Sequence, residues 1–539
     1  MQVLEFDYVI VGAGSAGCVL ANRLSESGKY TVLVLESGGS DARFWVKVPL
    51  GYAINVTNPL LNWGYHTAPD PGLNARVMSW PRGRVVGGSS SINAMAYVRG
   101  LPHDFNDWAS AGAQGWDWDA VRAVYDRCES HADCTPQGLQ MRGDGPVVVS
   151  DLSDQMSPFS KHFLDAARDA GHPVIPDMNN DVEGGISYYR STVRNGLRWS
   201  SADAFLRPAQ RRANLHVMCN ADVDRVTCED GTVTGVLFHR GGQQRQATAR
   251  REVILCAGAV NSPKLLQLSG FGPADLLRSH GISVQQDLPQ VGQGLQDHLA
   301  VSYQFLANQA TLNTIFGRRA GRLLAGLRYL LTRTGPLAVP VNQVGGFVRS
   351  DPRGNVPDLQ LYFNPVSYTI SKTGAAVVDH TAGYQISAQP CRPNSTGSIE
   401  ITSTMPQDAP CITPQSLSTA EDRVAAVRAG RTLQRFAQTA SLQAVTAAAK
   451  APDLRVMDDA ALLDDFRQRA STVYHPCCTC RMGHSKHDSV LDAKLRVHGV
   501  SGLRVADASA FPNITSGNTN APTMMLAMRA ADLILEDAR

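Results

Sequence analysis

Apolar and polar positions near the start of the chain predict strands and helices in turn. Residues 8–11 (YVIV) form a continuous apolar run, typical of a parallel strand buried on both faces. The glycine-rich GAGSAG follows, then CVLANRLSE with the spacing of a helix, and then a second apolar strand, YTVLVLESG, that ends at Glu36. This order predicts an α/β fold built on a parallel sheet.

Later segments repeat these patterns. Residues 215–240 predict strands around the turn Asp230-Gly231, and residues 251–270 predict a strand, a small-residue turn and a helix. Residues 301–465 carry irregular Pro and Gly with longer alternating stretches, which favours a separate substrate or cap unit. Residues 466–539 return to strand, turn and helix.

Composition and charge narrow the class of protein. The 539 residues are 43% hydrophobic and 18% charged, as in ordinary globular proteins large enough for more than one domain. The net charge of +2 gives no long-range attraction for nucleic acid, so no such partner is expected. Eleven scattered cysteines, the absence of an export signal before the first strand and the absence of a long apolar run predict a cytoplasmic protein.

The first glycine turn carries the earliest chemical signal. Gly12, Gly14 and Gly17 fit the G-x-G-x-x-G pattern, in which the backbone amides, including those of Ser15 and Ala16, approach a pyrophosphate at a helix N-terminus. Glu36 ends the second strand, where a carboxylate accepts hydrogen bonds from a ribose diol and repels a 2′-phosphate. The sequence therefore predicts FAD or NAD rather than NADP.

Five further motifs support a resemblance to a known family. They are GRVVGGSSSIN at 83–93, GAVNSPKLLQLSGFG at 258–272, VGQGLQDH at 291–298, YHPCCTCRMG at 474–483 and LRVADASAFPNITSGNTNAPTMM at 503–525. In order and spacing they resemble the glucose–methanol–choline (GMC) oxidoreductases, from about residue 5 to the C-terminus.

The resemblance implies a fold and an activity. The expected architecture is a discontinuous Rossmann-like FAD-binding domain at 1–300, with cap elements near 40–80 and 150–195. A second α+β substrate domain built on an antiparallel sheet is expected at 301–465, and 466–539 is expected to return to the FAD domain with the catalytic residues. The implied reaction is the FAD-dependent oxidation of an alcohol.

The resemblance also places the catalytic residues. His475, in YHPCCTCRMG, falls on the catalytic histidine of the family, and an imidazole that titrates near neutral pH suits a base for a hydroxyl proton. Asn518 falls on the second catalytic position, where its amide would orient the substrate oxygen. Asn520 is expected nearer the flavin, although the two-residue spacing leaves a swapped assignment open.

The remaining cofactor contacts follow from the same motifs. Asp507 and Ala508 are expected near the ribityl and pyrophosphate groups, and Val223 near the adenine. Ile92 occupies the apparent position of a histidine that binds the flavin covalently in some relatives, so we expect dissociable FAD. The second glycine segment contributes Val86, Gly87, Gly88, Ser90, Asn93 and Met95.

The substrate and the electron acceptor are less constrained. Residues 299–350 contain no Asp or Glu, which favours a neutral alcohol or polyol over choline, a cation. A dehydrogenase would pass electrons to a quinone or a carrier, and we expect this activity. An oxidase would use oxygen, and the apolar Val473, two residues before His475, leaves that alternative open.

Other interpretations remain beside this one. The group Cys477, Cys478 and Cys480 lacks the two separated pairs of a zinc site, so no metal is expected, and no G-x-S-x-G elbow indicates a serine hydrolase. A flavin-dependent lyase, an isomerase or a non-redox flavoprotein is a further alternative. Residues 315–333 interleave five arginines with apolar residues. They predict either a surface helix with its apolar side packed on the protein, the commoner case, or a helix lying on a membrane.

Overall fold

Two seven-stranded sheets organise the chain, as seen in a computed structural model that describes residues 3–135, 138–180, 183–370 and 376–539. The first sheet has a parallel part whose strands run, in spatial order, Leu215–Cys219, Val32–Glu36, Val3–Val11, Gln243–Leu255 and Leu503–Val505. The early half of Gln243–Leu255 also pairs with an antiparallel extension made of Thr232–Arg240 and Ala221–Glu229. The α/β prediction is confirmed, and strands close to the chain start and close to its end share one sheet.

Continuous apolar sequence makes the centre of this sheet. Val9, Ile10, Ile254 and Leu255 are all fully buried. Ile10 pairs in register with Ile254, and Val9 and Leu255 each lie one position away along their strands. The helices Ser15–Ser25 and Asn520–Asp537 pack against each other over this core. Both helices are apolar on most sides, which fits elements buried inside a large protein.

The second sheet is antiparallel. Its strands run in the order Thr446–Ala449, Leu299–Ala307, Gly383–Pro390, Leu359–Asn364, Val344–Val348 and Gly185–Tyr188, and Ser471–Thr472 pairs with the start of Leu299–Ala307. Helix Ala420–Ala437 packs on one face, where the rings of Phe363, Phe163 and Phe436 stack with centroids 5.0 and 4.9 Å apart.

The strand Leu299–Ala307 shows how this sheet divides core from cavity. Val301, Tyr303 and Phe305 are buried in the core, while Ser302 and Gln304 alternate with them and line a cavity on the opposite side. A period of two along the strand therefore builds the core and a cavity wall from one segment.

Shorter elements complete the chain. The other helices are Phe44–Lys47, Tyr52–Asn55, Pro102–Ser110, Trp118–Cys128, Lys161–Asp169, Arg207–Ala209, Gly258–Leu268, Ala274–Ser279, Leu312–Phe316, Arg319–Thr332, Ala440–Gln443 and Asp459–Arg469. The other strands are Tyr65–His66, Ser79–Trp80, Glu129–Thr135, Gly138–Arg142, Val147–Ser150, Val193–Arg194, Leu197–Arg198, Phe271–Gly272, Gln286–Asp287, Gln293–Leu295, Tyr368–Ile370, Ala376–Val378, Gly397–Glu400 and Cys411–Thr413.

The segment 315–333 departs from the expected single packed helix. It contains the end of Leu312–Phe316 and the separate helix Arg319–Thr332, whose leucines are exposed rather than packed on the protein. Among the helices that the structure describes, none is long and apolar enough to span a bilayer.

Candidate active site

A cavity of 2430 Å³ lies between the two sheets. One end is bounded by the glycine turn and the carboxyl ends of the parallel strands, the usual place for a ligand in an open α/β sheet. The other end is bounded by the polar face of the second sheet. The volume exceeds the ~300–1,000 Å³ that serves one small ligand, so it accommodates a large cofactor together with a substrate.

The three glycines of the first turn have different roles. Gly12 has φ +102°, and a Cβ there would lie 2.5 Å from the Cys256 carbonyl oxygen. A Cβ on Gly17 would lie 1.9 Å from the Gly12 oxygen, so Gly17 allows the helix to pack on the turn. A Cβ on Gly14 would meet only the Gly88 Cα, at 3.9 Å, and the Cys256 oxygen, at 4.0 Å. Gly14 therefore leaves room in the cavity for a ligand that approaches the backbone.

The helix that begins at Ser15 presents its N-terminus to this space. Ser15 and Ala16 line the cavity, and Gly14, the residue before the helix, provides no side-chain cap for the first amides. Uncapped amides at a helix N-terminus suit a phosphate oxygen. The Ser15 hydroxyl donates to Asn520 Oδ1 over 2.7 Å, which fixes Asn520 at the same end of the cavity.

Glu36 lies at the end of its strand, as predicted. Its two carboxylate oxygens accept hydrogen bonds from the backbone amides of Ala13 and Gly38, each at 2.8 Å. Burial raises the pKa of Glu36 to about 7, although both amides and nearby Arg84 favour its charged form. A carboxylate oxygen has lone pairs left for a ribose hydroxyl.

The second glycine segment touches the first. A Cβ on Gly88 would lie 2.7 Å from the Gly14 Cα, and the Gly87 amide donates to the Ala13 oxygen over 2.7 Å. Asn93 and Met95 line the cavity, and Arg198 Nη1 donates to Asn93 Oδ1 over 2.7 Å.

Most predicted cofactor residues meet at the cavity. Those on its wall are Gly12, Gly14, Ser15, Ala16, Glu36, Gly88, Asn93, Met95, Val223, Asp507, Ala508 and Asn520. Gly17, Val86, Gly87 and Ser90 lie behind the wall, where Ser90 Oγ donates to the Gly87 oxygen and bonds Ser201 Oγ. Asp507 accepts hydrogen bonds from Ser262 Oγ at 2.5 Å and from the Gly258 amide at 2.8 Å. The four residues behind the wall, Gly17, Val86, Gly87 and Ser90, therefore support the segments that form it.

His475 and Asn518, the two predicted catalytic residues, are in contact. Asn518 Nδ2 donates to His475 Nε2 over 3.1 Å, and both side chains line the cavity. Gln360 Nε2 donates to Asn518 Oδ1 over 3.3 Å, which turns the amide nitrogen of Asn518 towards the imidazole. Asn518 therefore presents a hydrogen-bond donor beside a ring nitrogen of His475.

A second imidazole fixes the tautomer of the first. His298 Nε2 lies 2.7 Å from the Cys391 carbonyl oxygen, which only accepts, so Nε2 carries the proton. Burial lowers the pKa of His298 to about 4, so its Nδ1 is an acceptor at neutral pH. His475 Nδ1, 3.0 Å away, must then be the donor. The remaining nitrogen, His475 Nε2, is then unprotonated, and its lone pair accepts the hydrogen bond from Asn518 Nδ2.

Electrostatics keep His475 neutral. Burial is the main cause that holds the pKa of His475 well below its ordinary value, and His298 and Arg82 act in the same direction. A neutral imidazole with an unprotonated ring nitrogen can act as a base.

The VGQGLQDH segment holds the backbone around His475. Asp297 Oδ1 accepts from the His475 amide over 2.8 Å, and its other oxygen accepts from the Thr472 hydroxyl. Gln296 pairs with Cys477 through both backbone groups, at 3.0 and 3.3 Å. Burial raises the pKa of Asp297 to about 6.

Sequence reasoning missed His298, Asp297 and Gln360 as site residues. The first two lie inside a recognised motif that carried no assigned role, and tertiary contacts, among them the backbone bridge between residues 296 and 477, bring that motif beside His475. Gln360 lies inside the buried strand Leu359–Asn364, and no local pattern marks it.

The cysteine group beside His475 consists of buried thiols. Cys477, Cys478 and Cys480 are all buried, and Cys478 Sγ lies 3.3 Å from Cys477 Sγ. Within the described ranges, no three His, Cys, Asp or Glu side chains are placed to hold a metal ion.

The chain is similar to known proteins over most of its length. A family model described as GMC oxidoreductase matches residues 6–300, and a second with the same description matches 393–527. The mitochondrial choline dehydrogenase of Mus musculus is 41% identical over 547 residues, which cover 98% of this chain and 89% of the mouse protein. The alcohol dehydrogenase (acceptor) of Pseudomonas putida is 40% identical over 536 residues, covering 98% of this chain and 96% of that protein.

Solved structures give the same result. Pyridoxine 4-oxidase from Mesorbium loti superposes with a TM-score of 0.87 and 29% identity over 98% of each chain. The chain therefore belongs to the GMC oxidoreductase family, whose members use FAD to oxidise CH–OH groups.

Proposed function

We propose that this FAD-dependent enzyme is a dehydrogenase that converts a neutral alcohol or polyol to its carbonyl, with His475 as base and Asn518 as the group that orients the alcohol. The contact between Asn518 Nδ2 and the unprotonated nitrogen His475 Nε2 is the observation that carries the proposal. The cavity fits FAD, because Gly14 leaves space at an uncapped helix N-terminus and Glu36 ends the adjacent strand. FAD supplies the hydride acceptor when it is bound.

His475 acts on the hydroxyl proton. Its Nε2 is unprotonated because Nδ1 donates to His298, so a substrate hydroxyl placed at Nε2 can transfer its proton there. The resulting imidazolium keeps its Nδ1 hydrogen bond to His298.

Asn518 acts on the oxygen left behind. Its Nδ2 donates to the alcohol oxygen as negative charge develops on it, and Gln360 prevents the amide from turning over. An oxygen held between these two groups lies in the same cavity as the glycine turn that would hold the cofactor.

The second sheet supports a neutral substrate. Its cavity face carries Ser302, Gln304, Gln385 and Ser387, whose hydroxyl and amide groups suit hydroxylated molecules. Among the described lining residues the carboxylates are Glu36, Asp222, Asp224 and Asp507, all on strands of the first sheet or adjoining them. The choline of relatives named choline dehydrogenase is a cation, and this wall offers it no carboxylate.

The acceptor that we propose is a quinone or a protein carrier. The half-buried Val473 lines the cavity beside His475 and keeps oxygen as the second candidate. Anaerobic dye reduction compared with oxygen consumption separates the two, and rapid peroxide formation without dye would favour an oxidase.

We further propose that the flavin is bound without a covalent bond and that the enzyme works in the cytoplasm. Ile92 lines the cavity and has no nucleophilic atom, so acid denaturation is expected to release all the flavin into the supernatant. Each of the ten cysteines whose side chains the structure describes is a free thiol, as suits a reducing compartment.

Replacement of His475 tests the assignment. His475→Ala is expected to keep its yellow flavin while anaerobic bleaching by an alcohol slows by about 10²–10⁴-fold. The matched control is His484→Ala, which removes an exposed imidazole nine residues further along the chain. Bleaching of His475→Ala at the wild-type rate would refute the role of His475.

A further inference from the structure

The helix Arg319–Thr332 exposes a row of leucines. Ala325 and Tyr329 are buried, and at about 100° per residue they lie opposite the five leucines. We call those leucines the leucine face: Leu323, Leu324, Leu327, Leu330 and Leu331, with exposed fractions of 64, 67, 47, 57 and 83%. A contiguous apolar face of this kind on a protein surface marks an interaction site.

Positive charge surrounds this face. Five arginines lie on the helix and at its two ends, and all are exposed: Arg318, Arg319, Arg322, Arg328 and Arg333. No Asp or Glu occurs between residues 299 and 350, so this segment does not neutralise them. Leucines on one face with arginines beside them fit an anionic lipid surface.

A neighbouring segment also exposes apolar rings. Phe44 and Trp45 are 50 and 42% exposed, with ring centroids 5.0 Å apart. Their segment packs against the buried side of the helix Arg319–Thr332 and the chain that follows it. Val48 shares a core cluster with Tyr329, and the Leu50 amide donates to the Leu337 oxygen. An exposed tryptophan beside leucines is typical of the membrane interface.

The same surface borders the cavity. The cavity is lined by Arg322 and Gly326 of the helix Arg319–Thr332 and by Phe316, which precedes that helix. The exposed Trp45 and Ile54 line the cavity as well. The rim formed by these elements therefore connects the leucine face to the space that holds His475.

We propose that the leucine face is a docking surface for a bilayer that contains anionic lipids, with the rim of the cavity against the membrane. The helix would lie in the interface with its leucines among the acyl chains and its arginines at the phosphates. A second copy of the chain is a poorer occupant, since a two-fold contact would bring five arginines of each copy together. The proposal goes beyond the alcohol chemistry and does not depend on it.

Vesicle sedimentation of the FAD-loaded enzyme tests the proposal. We expect the enzyme to bind phosphatidylcholine vesicles that contain phosphatidylglycerol. The binding should weaken when salt is added or when phosphatidylglycerol is left out. Leu327→Ser with Leu331→Ser is expected to lower the partition coefficient by about tenfold or more, since two apolar side chains leave the lipid. Arg319→Gln with Arg328→Gln, which leaves three of the five arginines, is expected to reduce the salt dependence.

Controls separate docking from folding and from self-association. Val456→Ser changes a side chain that is 83% exposed on another part of the surface and should bind vesicles as the wild type does. The leucine variants should keep the wild-type flavin content and rate with a water-soluble alcohol. Equal vesicle binding by the leucine variant and the wild type would overturn the proposal, as would lipid-free dimers that the leucine variant abolishes.

Discussion

At the scale of single residues, His475 contacts Asn518 through one ring nitrogen and His298 through the other. His475 and Asn518 were recognisable from their motifs, and they lie within hydrogen-bond distance of each other. The tautomer of His475 depends on His298 and on the carbonyl oxygen of Cys391, which come from distant parts of the chain. No local pattern encodes such a chain of contacts, because each link joins residues about 90 or more positions apart.

Replacement of His298 tests the tautomer. His298→Leu removes the acceptor for His475 Nδ1–H, so the free lone pair is no longer held at Nε2. We expect kcat to fall by roughly 10²–10⁴-fold with a smaller change in KM. His298→Gln has an amide that can both accept from His475 and donate to Cys391, and it should recover much of the rate. Nitrogen chemical shifts of His475 should report a protonated Nδ1 in the wild type and a mixture of tautomers in the leucine variant.

The pKa of His298 also predicts a pH dependence of stability. Its pKa is about 4 in the folded protein, whereas an unfolded histidine has a pKa near 6.5. Between these values the unfolded chain binds more protons, so His298 makes stability fall as pH drops from 6.5 to 4, by up to about 3 kcal/mol. The wild type should lose this stability relative to His298→Gln in urea unfolding over that range. If the unfolding free energies of the wild type and His298→Gln changed with pH in parallel, the buried, neutral state of His298 would be contradicted.

At the scale of elements, local patterns predicted the first sheet better than the second. The strands around Gly12 and the turn at Asp230-Gly231 were recognisable, and both turn residues have positive φ. In the second sheet, Gly185–Tyr188 and Ser471–Thr472 join strands that lie more than 150 residues away in sequence. Such pairings depend on tertiary packing, which a strand signal does not contain. The boundaries of the domains remain a prediction.

The glycine turn gives an element-level prediction. Gly14 has φ −78° and an open Cβ direction, so Gly14→Ala should leave the melting temperature of the flavin-free protein unchanged. The added methyl group should lower FAD content, because it enters the cavity. Gly17→Ala would place its Cβ 1.9 Å from the Gly12 oxygen and should destabilise the protein with or without FAD. Thermal melts and flavin absorbance of the purified variants measure both effects.

At the scale of the whole molecule, charge is distributed unequally along the cavity. The carboxylates on the cavity wall lie with the first sheet. The wall formed by the second sheet has Lys450 and Arg469, which are paired with Asp379 and Asp465 outside the lining. This asymmetry predicts a preference between two substrates of one shape. The uncharged 3,3-dimethylbutan-1-ol should give a higher kcat/KM than choline, its cationic counterpart, by about tenfold or more if one unfavourable charge contact is relieved. A preference for choline would contradict the neutral-substrate proposal while leaving alcohol oxidation intact.

The rim that joins the leucine face to the cavity has a kinetic consequence. An enzyme that rests on lipid through this rim would take apolar alcohols at their concentration in the acyl phase rather than in the buffer. Chain length would then act through partitioning, and the apparent KM of a long alcohol would follow its mole fraction in the vesicle. Diluting that alcohol with inert phospholipid at fixed bulk concentration would slow turnover, whereas short, water-soluble alcohols would be unaffected.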